Sequence, residues 1–218
     1  MAREVVVAGG VRTAIGTFGG SLKDIAPVDM AATVVKEALA RAKVEGKDVA
    51  QVVFGHVVNT EPKDMYLSRV AAINGGCGEG TPAFNVNRLC GSGLQAIVSA
   101  SQAILLGDTD IAIGAGAENM SRAPYASLAT RFGARMGDTK MVDMMVGALH
   151  DPFHTIHMGV TAENVAKEFG ITREQQDALA LESHQRAERA WAEGRFAGQI
   201  LPIMIKSRKG EVAFAQDE

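Results

Sequence analysis

Hydrophobic positions in the first half of the chain alternate between short apolar runs and helical stripes. Four apolar runs predict buried strands, at residues 5–8, 52–54, 83–86 and 111–114. Between them, residues 29–41 carry an apolar stripe with helical spacing, and residues 68–73 belong to a second helix. With a third helix after Cys90, the order βαβαβαβ predicts an α/β fold with helices on the sheet faces.

The third helix follows Cys90 directly and ends at Gly107, which suits a C-terminal cap. Its apolar stripe consists of residues that fall on one helical face: Leu94, Ile97, Val98, Ser101 and Leu105. Cys90 therefore lies at or just before the first helical turn, where free N–H groups and the helix dipole favour a thiolate. The dipole supplies only about 0.3–1 kcal/mol. The position predicts a nucleophile that still needs a base or a cation beside it.

The pattern changes near residue 121, where glycine, proline and methionine replace the regular alternation. Six of the ten methionines fall between residues 120 and 158. Methionine adapts to irregular contacts, so this segment suits a subunit interface, an acyl pocket or plain core filling. Further along, Thr172 and Gln175 form a capping box that opens another helix, and Gly194 closes it.

Composition narrows the class of protein. The net charge of −3 gives no reason to expect a nucleic-acid partner, and the basic cluster at residues 206–209 is predicted to be a solvated turn. Only two cysteines occur, Cys77 and Cys90, so no disulfide framework is predicted and a reducing compartment fits. Without a signal-like segment or an apolar run of membrane length, we predict a cytoplasmic protein with no membrane partner.

Two further groups of residues have patterns that can indicate a ligand site. His150, His154 and His157 have a spacing that a helix could turn into metal ligands, but Pro152 and Gly159 interrupt such a helix. We therefore predict no metal site, and a neutral histidine lining a polar pocket instead. The glycine-rich stretches do not spell a dinucleotide-binding or Walker sequence, so no nucleotide cofactor is predicted.

Four motifs in the same order resemble those of the thiolases, the acetyl-CoA C-acetyltransferases and 3-ketoacyl-CoA thiolases. They are residues 11–16 (VRTAIG), 87–93 (NRLCGSG), 114–121 (GAGAENMS) and 157–164 (HMGVTAEN). The resemblance covers nearly the whole chain and is closest to bacterial biosynthetic enzymes. It implies a thiolase-like fold, with a nucleophile-bearing core at residues 1–120 and a loop-rich insertion domain at residues 121–218. By the same resemblance, these residues are expected to lack the C-terminal thiolase domain.

The resemblance also implies a reaction, the reversible Claisen condensation of an acyl-CoA with acetyl-CoA. Cys90 would be the catalytic residue that carries the acyl group, and its N–H would donate to the oxyanion. His157 and Met158 would line the pantetheine channel and the acyl pocket, with Leu149 beside the pantetheine. CoA thioesters are then substrates, no metal or resident cofactor is needed, and a homo-oligomer (dimer or tetramer) is expected.

The departure from the family is as informative as the match. Thiolases run to not far short of twice this length, and their second half supplies a histidine base, a second cysteine and a further oxyanion donor. No G-H-P or C-x-G-G-G sequence occurs here. We therefore expect these 218 residues alone to be inactive. Two alternatives stay open: another condensing enzyme of ketoacyl-synthase type, and a non-catalytic assembly module.

Overall fold

A computed structural model describes residues 3–207 and 210–218, and these form two compact units. One unit contains the described residues up to Met145 together with those from Ile200 to Glu218, and the other is Val146–Gln199. The turn expected at residues 206–209 falls partly outside the described residues. The domain boundary expected at residue 120 stays a prediction.

The elements alternate along the chain much as the sequence pattern indicates. The strands are β1 (Arg12–Thr13), β2 (Gln51–Gly55), β3 (Ala83–Val86), β4 (Ala112–Gly116), β5 (Tyr125–Ala126), β6 (Val142–Asp143), β7 (Ile200–Leu201), β8 (Ile203–Ser207) and β9 (Gly210–Phe214). The α-helices are α1 (Pro27–Ala42), α2 (Leu67–Asn74), α3 (Ser92–Leu106), α4 (Met144–Ala148), α5 (Met158–Glu168) and α6 (Arg173–Ala192). Short 3₁₀ helices occupy Gly46–Asp48, Pro62–Tyr66 and Met120–Arg122.

The centre of the first unit is a parallel sheet with the strand order β3-β2-β4. The central strand β2 is buried on both sides. Val52 and Phe54 pack into a cluster with α1 and α2, whereas Val53 packs with Ala96 and Ala100 of α3. This alternation follows from the two-residue period of a strand. Helices therefore cover both faces, as the sequence predicts.

The prediction of a strand at residues 5–8 is wrong. Val6 and Val7 are 72% and 86% exposed, and the segment has no regular structure. A strand needs a neighbour that pairs its N–H and C=O groups. In the described part of the chain no strand lies beside these residues, so apolar composition alone does not make them a strand. The order βαβαβαβ still holds, but its first strand is the short β1 (Arg12–Thr13), which pairs with β7 and lies outside the central sheet.

Helix α1 shows how a predicted stripe becomes a core. Pro27 is its first residue, and Ala42 is its last. The next residue, Lys43, caps the helix in a left-handed conformation with a φ of 55°. Its buried side chains include Val28, Val35 and Leu39, which pack into the main hydrophobic cluster. The position of this helix is thus set by apolar burial.

Helix α3 approaches the sheet through glycine and alanine. A Cβ on Gly114 would lie 2.7 Å from the Cα of Ile97, so only glycine allows this approach. The buried side chains are small ones, including Ala96 and Ala100, while Leu94 and Leu106 are 69% and 78% exposed. Contrary to expectation, Leu89–Leu106 is long and apolar enough to span a membrane by composition. One such helix is weak evidence, because core helices pass the same test.

The final strands return to the first unit. β7 pairs in parallel with β1, and β8 pairs antiparallel with β9. Asp217 accepts two hydrogen bonds from the Arg12 guanidinium, at 2.8 and 3.1 Å. The Glu218 carboxylate accepts hydrogen bonds from Ser21 and Thr17, and these bonds, the Ser21 hydroxyl first, lower the pKa of Glu218 to about 2. Asp217 also accepts the N–H of Ile15 at 2.8 Å, and the Glu218 N–H donates to the Ile15 carbonyl at 3.0 Å, so both residues hold the opening motif at residues 11–16.

The second unit contains α5 and α6. α6 begins with the expected capping box, in which Thr172 and Gln175 bond to each other's backbone, and it ends just before Gly194. No residue of α6 is buried, and even Leu179 and Leu181 are 67% and 60% exposed. Trp191 contacts Phe196, with ring centroids 5.2 Å apart.

Candidate active site

Cys90 lies in the five-residue link between β3, which ends at Val86, and α3, which begins at Ser92. Its thiol is exposed. The preceding Leu89 has a φ of 47°, in the left-handed region that non-glycine residues rarely adopt. Such backbone strain costs about 1–3 kcal/mol and persists only where the surroundings impose it. The link is therefore a sharp elbow that presents the thiol.

Ser92 holds this elbow together. Its side chain is buried, and its hydroxyl accepts the N–H of Arg88 at 2.8 Å and donates to the carbonyl of Leu89 at 2.6 Å. The Leu89 N–H donates to Asn87 Oδ1 at 3.0 Å. The motif residues around Cys90 thus bond mainly to one another, which fixes the turn.

Glycines form the floor under the elbow. A Cβ on Gly55 would come within 2.5 Å of the Ser92 carbonyl carbon, and one on Gly116 would lie 3.5 Å from the Cα of Gly93. The carboxyl ends of β2 and β4 therefore touch the first turn of α3 directly. Ligands of parallel α/β sheets bind beyond these strand ends, and Cys90 lies there.

A buried polar group beside this floor was missed by the sequence analysis. His56 follows β2, and its Nδ1 lies 2.8 Å from the carbonyl oxygen of Ala117. Its Nε2 lies 3.9 Å from Asp64, and Nδ1 lies 3.5 Å from Glu118. The side chains of His56 and Asp64 are almost completely buried. A polar residue immediately after a fully buried strand was the signal that could have found it.

The motif at residues 114–121 joins the loops at the same edge. Glu118 accepts hydrogen bonds from the N–H groups of Val57 and Val58, at 3.0 and 3.1 Å. The buried Asn119 donates to the carbonyl of Ile25 at 2.8 Å. The motif therefore links the loops after β2 and β4 with the loop before α1.

In the second unit the structure brings together Leu149, His157 and Met158. The Met158 N–H donates to the Leu149 carbonyl at 2.9 Å, and His150 and His157 form a β-bridge with their rings edge to face. His157 caps α5, because its Nδ1 accepts the Gly159 N–H at 3.0 Å. In the neutral ring the proton is then on Nε2, and the exposed side chain can donate to a ligand.

Cys90 belongs to the other compact unit, and the expectation that it shares a pocket with these three residues stays a prediction. The second cysteine, Cys77, is buried in the main core cluster, and burial raises the pKa of its thiol. Within the described ranges, no group of three His, Cys, Asp or Glu side chains could hold a metal ion. The three histidines do not share one helix, because α5 starts only at Met158.

Comparison with known proteins identifies the class. Residues 5–218 match the family described as thiolase, N-terminal domain. The beta-ketothiolase BktB of Cupriavidus necator is 69% identical over 218 residues, which are 100% of this chain and 55% of that protein. An acetyl-CoA acetyltransferase of the same organism is 46% identical over 217 residues, covering 99% of this chain and 55% of that protein.

A solved structure confirms the fold. The crystal structure of the Bacillus anthracis acetyl-CoA acetyltransferase superposes with a TM-score of 0.94 at 41% identity, over 100% of this chain and 55% of that one. The chain therefore belongs to the thiolase family, a family of acyltransferases, and has the α/β thiolase fold. It spans about half the length of the curated relatives it matches.

Proposed function

We propose that this protein is an acyl-CoA:acetyl-CoA C-acyltransferase that works through an acyl group on Cys90. The observation that carries the proposal is the strained elbow, which presents an exposed thiol at the start of α3. The positive end of that helix stabilises negative charge on the sulfur. Relatives named beta-ketothiolase and acetyl-CoA acetyltransferase support the same reaction.

The proposed reaction has two halves. The Cys90 sulfur attacks the thioester carbonyl, a new S–C bond forms, and CoA leaves with the proton of the thiol. A second acetyl-CoA then loses an α-proton, and its carbon attacks the acyl group and releases the Cys90 sulfur, which regains a proton. In the described residues no hydrogen bond uses the Cys90 N–H, whereas Gly91 and Ser92 already donate within the elbow. It is the proposed oxyanion donor.

His157, Met158 and Leu149 are proposed to contact the CoA thioester. The Nε2–H of His157 offers a donor to an amide or thioester oxygen, and Met158 and Leu149 offer apolar surface. Their mutual backbone contact keeps the three residues in one small region of the second unit. No resident cofactor is proposed, because the CoA thioesters are the substrates.

Mapping of the acylated peptide after incubation of the product of the full reading frame with acetyl-CoA tests the proposal. We expect the acetyl group on Cys90, and Cys90→Ser abolishes it while the matched Cys77→Ser retains it. Acetylation of Cys77, or of neither cysteine, contradicts the proposal, and the second result favours an assembly module. Thiolysis of acetoacetyl-CoA by CoA separates a thiolase from a ketoacyl-synthase-like enzyme, which does not catalyse it.

We also propose that these 218 residues alone do not complete turnover. A missing general base costs about 10²–10⁴ in rate, and a missing oxyanion donor about 10²–10³. A thiolysis assay on material whose intact mass confirms the 218 residues tests this, with the product of the full reading frame as the control. Equal turnover by the two proteins would falsify the proposal.

The whole protein is proposed to be a cytoplasmic homo-oligomer. The segment at residues 121–147 exposes large apolar side chains that water does not favour, among them Leu128, Phe132 and Met136. Light scattering on the product of the full reading frame is expected to give at least a dimer. A strict monomer contradicts this part of the proposal.

A further inference from the structure

His56 is buried at the end of the central strand, yet no step of the proposed reaction uses it. A carbonyl oxygen can only accept, so the contact at 2.8 Å means that Nδ1 donates to Ala117. The backbone N–H of His56 donates to the carbonyl of Val86, the last residue of β3, at 3.1 Å. His56 thus bonds to the carboxyl ends of both strands that flank β2, at Val86 of β3 and at Ala117 just after β4.

The carboxyl ends of β2 and β4 carry the glycines, Gly55 and Gly116, that lie under the elbow. Gly55 directly precedes His56, and its carbonyl accepts the N–H of Ala117 at 3.1 Å. The space above Gly55 is filled by the backbone of Ser92, with no room for even a methyl group. A shift of Ala117 or Gly55 therefore moves Ser92, the residue whose hydroxyl fixes the elbow before Cys90.

The other side of the ring is different. Nε2 of His56 and Oδ1 of Asp64 are buried, and neither has a hydrogen-bond partner in the described part of the chain. The nearest charged atom to Nε2 is an oxygen of Asp64 at 3.9 Å, which is beyond hydrogen-bond distance, whereas Nδ1 is bonded at 2.8 Å. Among the described residues, the Nδ1 bond to Ala117 is the hydrogen bond that the ring makes, while the carboxylates of Asp64 and Glu118 face the ring at 3.9 and 3.5 Å.

We propose that His56 is a positioning residue for Cys90, acting through its Nδ1 bond to Ala117. The bond fixes the distance between the carboxyl ends of β2 and β4, against which the backbone of Ser92 packs. Ser92 in turn fixes the elbow through its hydroxyl group. The inference rests on the proposed function, because the acylated group is taken to be Cys90.

Three substitutions of His56 distinguish the contribution of Nδ1 from that of Nε2. The amide nitrogen of His56→Asn takes the place of Nδ1, that of His56→Gln takes the place of Nε2, and His56→Leu keeps neither. The measurements are the rate of Cys90 acetylation by acetyl-CoA per folded molecule, and kcat and KM for thiolysis by the product of the full reading frame. Thermal unfolding gives the folded fraction of each variant.

We expect His56→Leu and His56→Gln to lose between about tenfold and 10²-fold in acetylation and in kcat, since small displacements of a reacting group cost this much. KM should stay close to that of the wild type. His56→Asn should restore the rate. Equal rates for all variants, or rescue by Gln as good as by Asn, would overturn the inference.

Two further outcomes are informative. If His56→Leu does not fold, the difference between the Asn and Gln variants still decides the matter. If wild-type Cys90 is not acetylated, the proposed function fails, but the positioning role does not. The rate of Cys90 alkylation by iodoacetamide then tests it, with Cys77 as the internal reference for global opening. Identical Cys90 rates in the Asn and Leu variants reject it.

Discussion

Helices α1 and α3 have similar lengths, 16 and 15 residues, and both carry an apolar stripe, but they use it in opposite ways. α1 turns its stripe inward, so that Val35 is only 1% exposed. α3 turns small residues to the sheet and leaves the larger ones, such as Leu94, outside. Periodicity therefore locates a helix without saying which face the sheet covers.

The reason lies in the distance between helix and sheet. Gly55 and Gly114 bring the backbone of α3 so close to β2 and β4 that only alanine and serine fit between them. The elbow rests on this close contact, because Ser92, which bonds to Leu89 and Arg88, is the residue whose backbone lies against Gly55. α1 supports no such turn, and it packs on the sheet through larger apolar side chains such as Val35 and Leu39.

Truncation of the α1 stripe is expected to have the largest effect. Leu39→Ala should lower the free energy of unfolding by about 2–5 kcal/mol, because it leaves a cavity in the main core cluster. Urea denaturation measures this. Lys36→Ala on the exposed side of α1 is the matched control and should change stability by less than about 0.5 kcal/mol. Equal losses for the two variants would show that α1 is not anchored by its stripe.

Filling the gap under α3 should come next. Gly55→Ala places a methyl group against the Ser92 backbone, and we expect a loss of about 1–3 kcal/mol together with slower acetylation of Cys90. Gly80→Ala is the control, since a Cβ there meets nothing within 4 Å. Unchanged stability and acetylation in Gly55→Ala would mean that the close approach is not required.

The two cysteines extend the same contrast. Cys77 belongs to the core that α1 builds, and Cys90 is exposed beside α3. Iodoacetamide should modify Cys90 at least about tenfold faster, because a buried thiol reacts only after local opening. Burial raises the pKa of Cys77, so its rate should keep rising with pH beyond the range of an ordinary thiol. Peptide mapping over time and pH measures both rates, and comparable rates would contradict the assigned burial.

The smallest effect is expected on the exposed stripe of α3. Leu105 is 50% exposed, so Leu105→Gln should change the free energy of unfolding of the 218-residue chain by less than about 0.5 kcal/mol. It should also reduce self-association in light scattering, because exposed apolar surface favours contact between molecules. A large loss of stability would place this stripe in the core after all.

Much of the fold could be predicted because local signals and tertiary structure agree. β3 occupies the residues that its apolar run indicates, and α6 begins at the capping box of Thr172. The strand at residues 5–8 failed because pairing depends on a neighbour, which no local pattern encodes. The apolar stripe of α3 also did not predict that Leu94 is exposed, because the face of a helix that packs on the sheet depends on distant residues.

The candidate site was predictable only in its most local part. The elbow at Cys90 follows from a strand, small residues and a helix that adjoin in sequence. The roles of His56 and Glu118 depend on a parallel register that places Gly55 beside Gly116, which distant segments create. The motif at residues 157–164 marks His157, but its role as the cap of α5 needed the structure.

The contact between Arg12 and Asp217 spans 205 positions in sequence, and this has a consequence for synthesis. Strands β2, β3 and β4 with helices α1, α2 and α3 are complete once residue 116 has left the ribosome. The segment around Arg12 must wait for the remaining residues, which takes roughly 5–20 s at ordinary translation rates. Until then the segments of the central sheet are available to pair, whereas the segment around Arg12 lacks Asp217 and β7, its partners in the finished fold.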